Sequence, residues 1–182
     1  MKKKLIALTA AFLLVIGAAV AGTVAWLTAK TQTEVNTFTV GNIAIELKET
    51  TSDYKMVPGQ TIAKDPKVSV KAGSEACWLF VKVEEGNNVA NFIDYTIDPS
   101  WKAVPGASGV YYREVAAADT VQEFSVLTNN QVTVKNTVTK ADMDAIEKQT
   151  VAAPTLSFTA YAVQKAGITD VADAWAKAQA QA

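Results

Sequence analysis

Ala76-Cys77-Trp78-Leu79-Phe80-Val81-Lys82-Val83-Glu84 is the most strand-like stretch of the chain, and its first six residues are apolar without a break. A continuous run of that kind is expected of a strand near the middle of a sheet, where both faces are covered. Turn residues bound it on either side, Ala72-Gly73-Ser74-Glu75 before and Glu85-Gly86-Asn87-Asn88 after. Cys77, the chain's single cysteine, sits inside this run, and its apolar setting reads as a buried small hydrophobe rather than a reactive thiol or an intermolecular bridge.

Upstream, Val68 and Val70 alternate with Ser69 and Lys71 as a second strand. Val57-Pro58-Gly59-Gln60 predicts a type II turn, because proline presets φ at its second position and glycine supplies the positive φ at its third. Lys48 to Lys55 is a polar loop, and Ile43, Ile45 and Leu47 against Ala44, Glu46 and Lys48 predict a half-buried strand. Phe38 and Val40 begin that strand, with Gly41-Asn42 as a bulge or turn.

Downstream, Phe92 to Ile97 reads as a strand. Trp101 and Val104, the Pro105-Gly106 turn and Val110 to Val115 read as a hairpin. Val121 to Leu127 predicts a further strand, and Val132, Val134 and Val138 a weaker one. Lys140 to Lys148 has helical periodicity, with Thr139 to cap it and Asp142 in its first turn. Leu156 to Val163 alternates again. A last helix, Val171 to Ala178, follows a cap at Thr169 or Asp170, with Trp175 on its apolar stripe to anchor it to the sheet. Roughly nine short strands separated by turns, with two short helices, predict a mainly β chain folded as an antiparallel β-sandwich.

The N-terminus carries a different signal. Lys2 to Lys4 precede 25 uncharged residues, Leu5 to Ala29, whose apolar core weakens into Ala21-Gly22-Thr23-Val24-Ala25. This is the pattern of a secretory signal peptide, with Thr23 and Ala25 as the small-x-small pair and cleavage before Trp26. A run of that length also suffices to span a bilayer as a retained anchor. Either way the lysines stay inside and the domain is delivered outside. Removal of residues 1–25 leaves 157 of 182 residues, enough for one domain with a proper core, here 26–182.

Three blocks carry a family resemblance. Gly22-Thr23-Val24-Ala25-Trp26-Leu27-Thr28 with Asn36-Thr37-Phe38-Thr39-Val40-Gly41-Asn42-Ile43 resembles the signal and first strand of the TasA/camelysin family. Val57-Pro58-Gly59-Gln60-Thr61-Ile62-Ala63-Lys64-Asp65-Pro66-Lys67-Val68 resembles its P-G-x-x-x-x-K-x-x-x-V motif, and Leu156 to Gln164 its closing strand. Trp26 stands one place earlier than the family's usual Phe, and residues 87–149 match nothing specific. The resemblance implies a jelly roll, export from a Gram-positive cell, cleavage by a signal peptidase of the SipW type, and assembly into extracellular fibres of a biofilm matrix or cell-surface layer. It further implies that the arm 26–37 adds to a neighbour's sheet, with Trp26, Leu27, Val35 and Phe38 as its apolar contacts. From the residues alone, that polar, threonine-rich arm reads as a frayed terminus.

Composition narrows the chemistry. Without Lys2 to Lys4 the chain holds 14 basic against 18 acidic residues, a net charge of −4. No basic patch points to nucleic acid. The chain has no histidine, which removes the commonest general base and transition-metal ligand, any H-E-x-x-H zinc site and any Ser-His-Asp arrangement. The metallopeptidase activity attributed to camelysin relatives is therefore disfavoured, and the expectation is a protein that is no enzyme and takes no cofactor. Asp94, Asp98, Asp119, Asp142 and Asp144 read as solvated acids rather than calcium ligands, since Asp142-Met143-Asp144 lacks the glycine and terminal glutamate of a calcium loop. Glu84 and Glu85 alternate sides of a strand and do not converge as an acid and base. Trp101, Tyr111 and Tyr112 admit two readings, an exposed aromatic patch able to stack on sugars and ordinary sheet packing, and packing is preferred. The alternative to a fibre subunit is accordingly a monomeric adhesin or carbohydrate-binding module at the cell surface.

Overall fold

The computed structural model describes residues 42–50 and 54–180. The signal segment 1–25, the cleavage residues Thr23, Ala25 and Trp26, and the arm residues Leu27 and Val35 with Phe38 lie outside the described residues. Ten strands and three short helices follow one another along the rest. They are β1 (Ile45–Lys48), β2 (Thr61–Ala63), β3 (Lys67–Val70), β4 (Cys77–Gly86), α1 (Val89–Phe92), β5 (Ile93–Asp94), β6 (Lys102–Ala103), β7 (Val110–Val115), β8 (Gln122–Ser125), β9 (Gln131–Val134), α2 (Lys140–Glu147), β10 (Thr155–Gln164) and α3 (Val171–Gln179).

The central sheet has the order β10-β4-β7-β6, and all its pairings are antiparallel. β4 lies inside it and is buried on both faces from Cys77 to Val81, as its unbroken apolar run requires. Strand alternation then divides its side chains. Cys77, Leu79 and Val81 point to one core, with Val68, Val70, Trp101, Val115 and Val126. Trp78 and Phe80 point to the other, where Ala174, Trp175 and Ala178 of α3 cover them.

The short antiparallel sheet β1-β3-β8 faces the first core, and a second short antiparallel sheet, β2-β9-β5, continues from it. They are two halves of one bent layer. Val126 N–H donates to Pro66 O at 2.9 Å and Lys64 N–H to Asn130 O at 2.8 Å, so pairing continues across the join. Between these bonds Leu127, Thr128 and Asn129 stand against Asp65 alone, a bulge of two extra residues that bends the layer. Asn129 and Asn130 take left-handed φ values of 55° and 52° there, a region asparagine enters more readily than most residues. Two facing antiparallel layers make the β-sandwich that the sequence pattern predicts. A third, smaller core lies between the β2-β9-β5 half and α2, around Phe92, Val134 and Val138.

Local predictions hold in most places. Gln60 N–H donates to Val57 O at 3.0 Å with Gly59 at φ +77°, the expected type II turn. Thr139 and Asp142 cap each other's backbone at the start of α2, and Asp170, rather than Thr169, caps α3. Phe92 to Ile97 differs from its expected strand. Asn87 and Asn88 take φ values of 50° and 61°, the chain turns through α1, and only Ile93 and Asp94 pair with β9.

The aromatic patch is corrected by the fold. Trp101 is 5% exposed, and its indole N–H donates to Ser125 O at 2.8 Å. Tyr111 and Tyr112 are adjacent on β7 and therefore face opposite cores. Tyr112 packs 5.8 Å from Trp78, ring centre to ring centre, on the α3 side. The three rings form no single exposed surface.

Candidate assembly edge

β10 is the outer strand of the central sheet, and among the described residues nothing pairs with its far side. Its sequence, Thr155-Leu-Ser-Phe-Thr-Ala-Tyr-Ala-Val-Gln164, has no charge, no proline and no glycine. It runs in unbroken register with β4 for ten residues, from Thr155 opposite Gly86 to Gln164 opposite Cys77. Ten antiparallel residues extend about 34 Å. Natural edge strands are kept short, charged, bulged or proline-bearing to prevent pairing with other chains, and β10 uses none of these devices. The other edge strands have four residues or fewer. Most carry charge: Glu46 and Lys48 on β1, Glu123 on β8, Asp94 on β5 and Lys102 on β6. Glu46 is ionised below its usual carboxylate range because Lys48, and then Lys71, donate hydrogen bonds to it.

Hydrogen-bond parity identifies which groups are open. Lys165 N–H donates to Ala76 O at 2.8 Å, continuing the β4 register by one residue. In an antiparallel ladder alternate residues bond to the partner, so Val163, Tyr161, Thr159, Ser157 and Thr155 turn their backbone groups toward β4. The N–H and C=O groups of Leu156, Phe158, Ala160, Ala162 and Gln164 point away from it. The side chains of Phe158, Ala160 and Ala162 pack against the sandwich core.

A depression lies at each end of the edge. Beside Thr155 to Ser157 is a cleft of about 570 Å³ walled by Met56, Ile62, Val132 and Leu156, with Tyr54 and Lys64 in its lining. Beside Ala162 to Gln164 is a second, of about 780 Å³, lined by Ile43, Ile168, Lys177 and Ala180 among others. An extended segment laid along β10 reaches both.

The acids and the cysteine are placed elsewhere. Asp142 accepts from Thr139, and Asp144 pairs with Lys140 at 2.7 Å, so the D-x-D pair is occupied within α2. Asp98 accepts from the Ser100 hydroxyl and then its N–H, which hold its carboxyl below the usual range. Among the described residues no three His, Cys, Asp or Glu side chains gather where a metal ion could be held, and no helix is long and apolar enough to cross a membrane. Cys77 is fully buried in the sandwich core, and burial pushes its thiol up to about 11. The long free edge escaped sequence reasoning, because strand order within a sheet is set by contacts distant in the chain. Its one sequence signal is the absence of any guarding charge from Thr155 to Gln164. No family model, curated protein or solved structure matches the chain.

Proposed function

We propose that this chain is an exported structural protein of the TasA/camelysin kind. It is released by a SipW-type peptidase and assembles outside the cell into fibres of a biofilm matrix or surface layer, without catalysing a reaction. Each subunit donates its arm 26–37 to the β10 edge of the next. The observation that carries this reading is the ten-residue, uncharged edge of β10 with its outward row of backbone groups. A donor arm and an acceptor edge on different parts of one chain make a head-to-tail contact that does not close, and such contacts generate filaments. A jelly roll, which this proposal includes, places its first strand beside its last. Here β1 pairs with β3 instead, and the donated arm takes the place beside β10. A sugar-stacking surface at Trp101 is no part of the proposal, since that ring is core.

Ala160→Pro tests the edge directly. The Ala160 N–H points away from β4, so proline there leaves the β4 ladder intact while denying a hydrogen bond to any added strand. The expected result is a chain that melts close to the unaltered protein and forms no filaments by electron microscopy. Thr159→Pro, which removes a bond to β4, is expected to destabilise the monomer itself. Filaments of normal length and abundance from Ala160→Pro, or from a chain lacking residues 26–37, defeat the proposal.

A further inference from the structure

The cleft beside Thr155 to Ser157 is built around a cation. Lys64 is the most deeply buried charged residue among the described residues, with its side chain 9% exposed. Its Nζ lies 4.8 Å from the centre of the Tyr54 ring and 5.4 Å from that of Phe158. Glu49 Oε1 is 2.8 Å from the same Nζ, yet that buried oxygen accepts no hydrogen bond among the described residues. An ammonium kept so far from water is destabilising unless its partners are well aligned, so a further electron-rich face against it is favourable. Lys64 and Tyr54 line the cleft, and Met56, Ile62, Val132 and Leu156 wall it. The group that suits such a space is apolar and electron-rich at once, which describes an aromatic ring.

The described fold begins at the opposite end of the β10 edge. Asn42 O accepts from Glu75 N–H at 2.9 Å, next to Ala76, whose carbonyl takes the Lys165 N–H. Ile43 lines the depression beside Ala162 to Gln164. From Val163 back to Leu156, β10 covers seven residues, about 24 Å. Phe38, the aromatic residue closest before this start, lies five residues ahead of Ile43, and five extended residues span about 18 Å at most. A chain therefore cannot place its own Phe38 in its own cleft. A neighbouring copy can.

We infer that Phe38 of one copy docks in the Lys64 cleft of the next, as the third ring around that ammonium, with the donated segment running antiparallel to β10. The inference rests on the strand-donation reading above and gives it a direction and an anchor. The segment leaves its own subunit at the Gln164 end and enters the neighbour at the Thr155 end. Unlike ends then meet, and the contact repeats without closing. Entry at the Gln164 end brings like ends together, which is the arrangement of a closed two-fold pair. Antiparallel pairing is also the slightly stronger of the two ladders.

Assembly of the mature chain, followed by light scattering and electron microscopy, is the test. Phe38→Leu supplies an apolar side chain without a ring and should raise the concentration needed for filaments about tenfold, whereas Phe38→Trp should not. In a Lys64→Met chain, its fold checked by circular dichroism, adding Phe38→Leu should make no further difference. Cross-linking reads the direction. With a short bismaleimide, Thr39→Cys chains should join Ala153→Cys chains, at the cleft, and not Ala166→Cys chains, at the other end of the edge. Filaments from Phe38→Leu at the ordinary concentration, a Phe38→Leu effect that persists in the Lys64→Met chain, or cross-linking to Ala166→Cys in place of Ala153→Cys overturns the inference. If Ala160→Pro still abolishes filaments in that case, strand donation to β10 stands without it. An unaltered mature chain that forms no filaments at any concentration overturns both.

Discussion

Trp175 reaches the central sheet from α3 through two ring contacts, edge-on to Tyr161 at 5.1 Å and tilted against Phe80 at 5.2 Å. Truncating a buried aromatic removes both its transfer free energy and its neighbours' packing, so Trp175→Ala should cost about 3–5 kcal/mol in urea unfolding. Cys77 makes a second prediction at this scale. A thiol favoured in its neutral form by the fold contributes stability below its unfolded value near 9, and that stability is lost as pH rises through about 11. A disulfide-exchange reagent at pH 8 should therefore leave the native thiol untouched and label it rapidly in urea. The burial of Cys77 and Trp78 was readable because six apolar residues in a row leave a strand no solvent face. Trp101 was harder to read. Alternation along a strand says which residues share a face but not what covers it, and the cover comes from Val126 and Val68, far away in the chain. Lys64 was unreadable for a related reason, since a lysine beside Asp65 looks solvated until the fold brings Tyr54 and Phe158 over its ammonium.

Helices and turns were the elements most visible beforehand, because their signals lie within four or five residues. The start of α2 is one such case: Thr139 accepts from Asp142 N–H while Asp142 accepts from the Thr139 N–H and hydroxyl. Thr139→Ala should cost about 1 kcal/mol, the usual effect of losing an N-cap. The Thr139 hydroxyl, and then its N–H, hold the Asp142 carboxyl below its ordinary value. The sign follows: this contribution is complete above the unfolded carboxylate range, about 4, and is lost as pH falls through the lower folded value. Thermal melts of Asp142→Asn from pH 7 down to pH 3 should accordingly show a shallower decline than the unaltered chain, and an identical decline would remove the capping box from the account. Strands were visible as elements but not as neighbours. Thr155 to Gln164 reads as a half-buried strand on its own evidence, whereas its position at the edge depends on which of ten strands lies beside it. α1 escaped for the opposite reason, since the four residues that follow the bend at Asn88 are too few for periodicity to register.

At the scale of the whole molecule, the question is what occupies the β10 edge, and concentration decides it. An arm folded back on its own sheet is a unimolecular contact, insensitive to dilution, and yields single particles. An arm added to a neighbour obeys mass action and yields chains whose length grows with concentration. Among the described residues the members of the sandwich cores lie from Ile43 onward, so a chain lacking residues 1–41 keeps every one of them. This shortened chain should remain monomeric at concentrations where the mature protein forms filaments. It should also bind a synthetic peptide of residues 26–41 with one peptide per chain, measured by calorimetry. Backbone pairing along β10 sets that stoichiometry, so Ala160→Pro in the shortened chain should abolish binding while its circular dichroism stays unchanged. The same peptide, added in excess to the mature protein, should cap growing ends and shorten filaments. Binding that survives Ala160→Pro would move the acceptor to another edge. A shortened chain that still polymerises would take the arm out of assembly altogether.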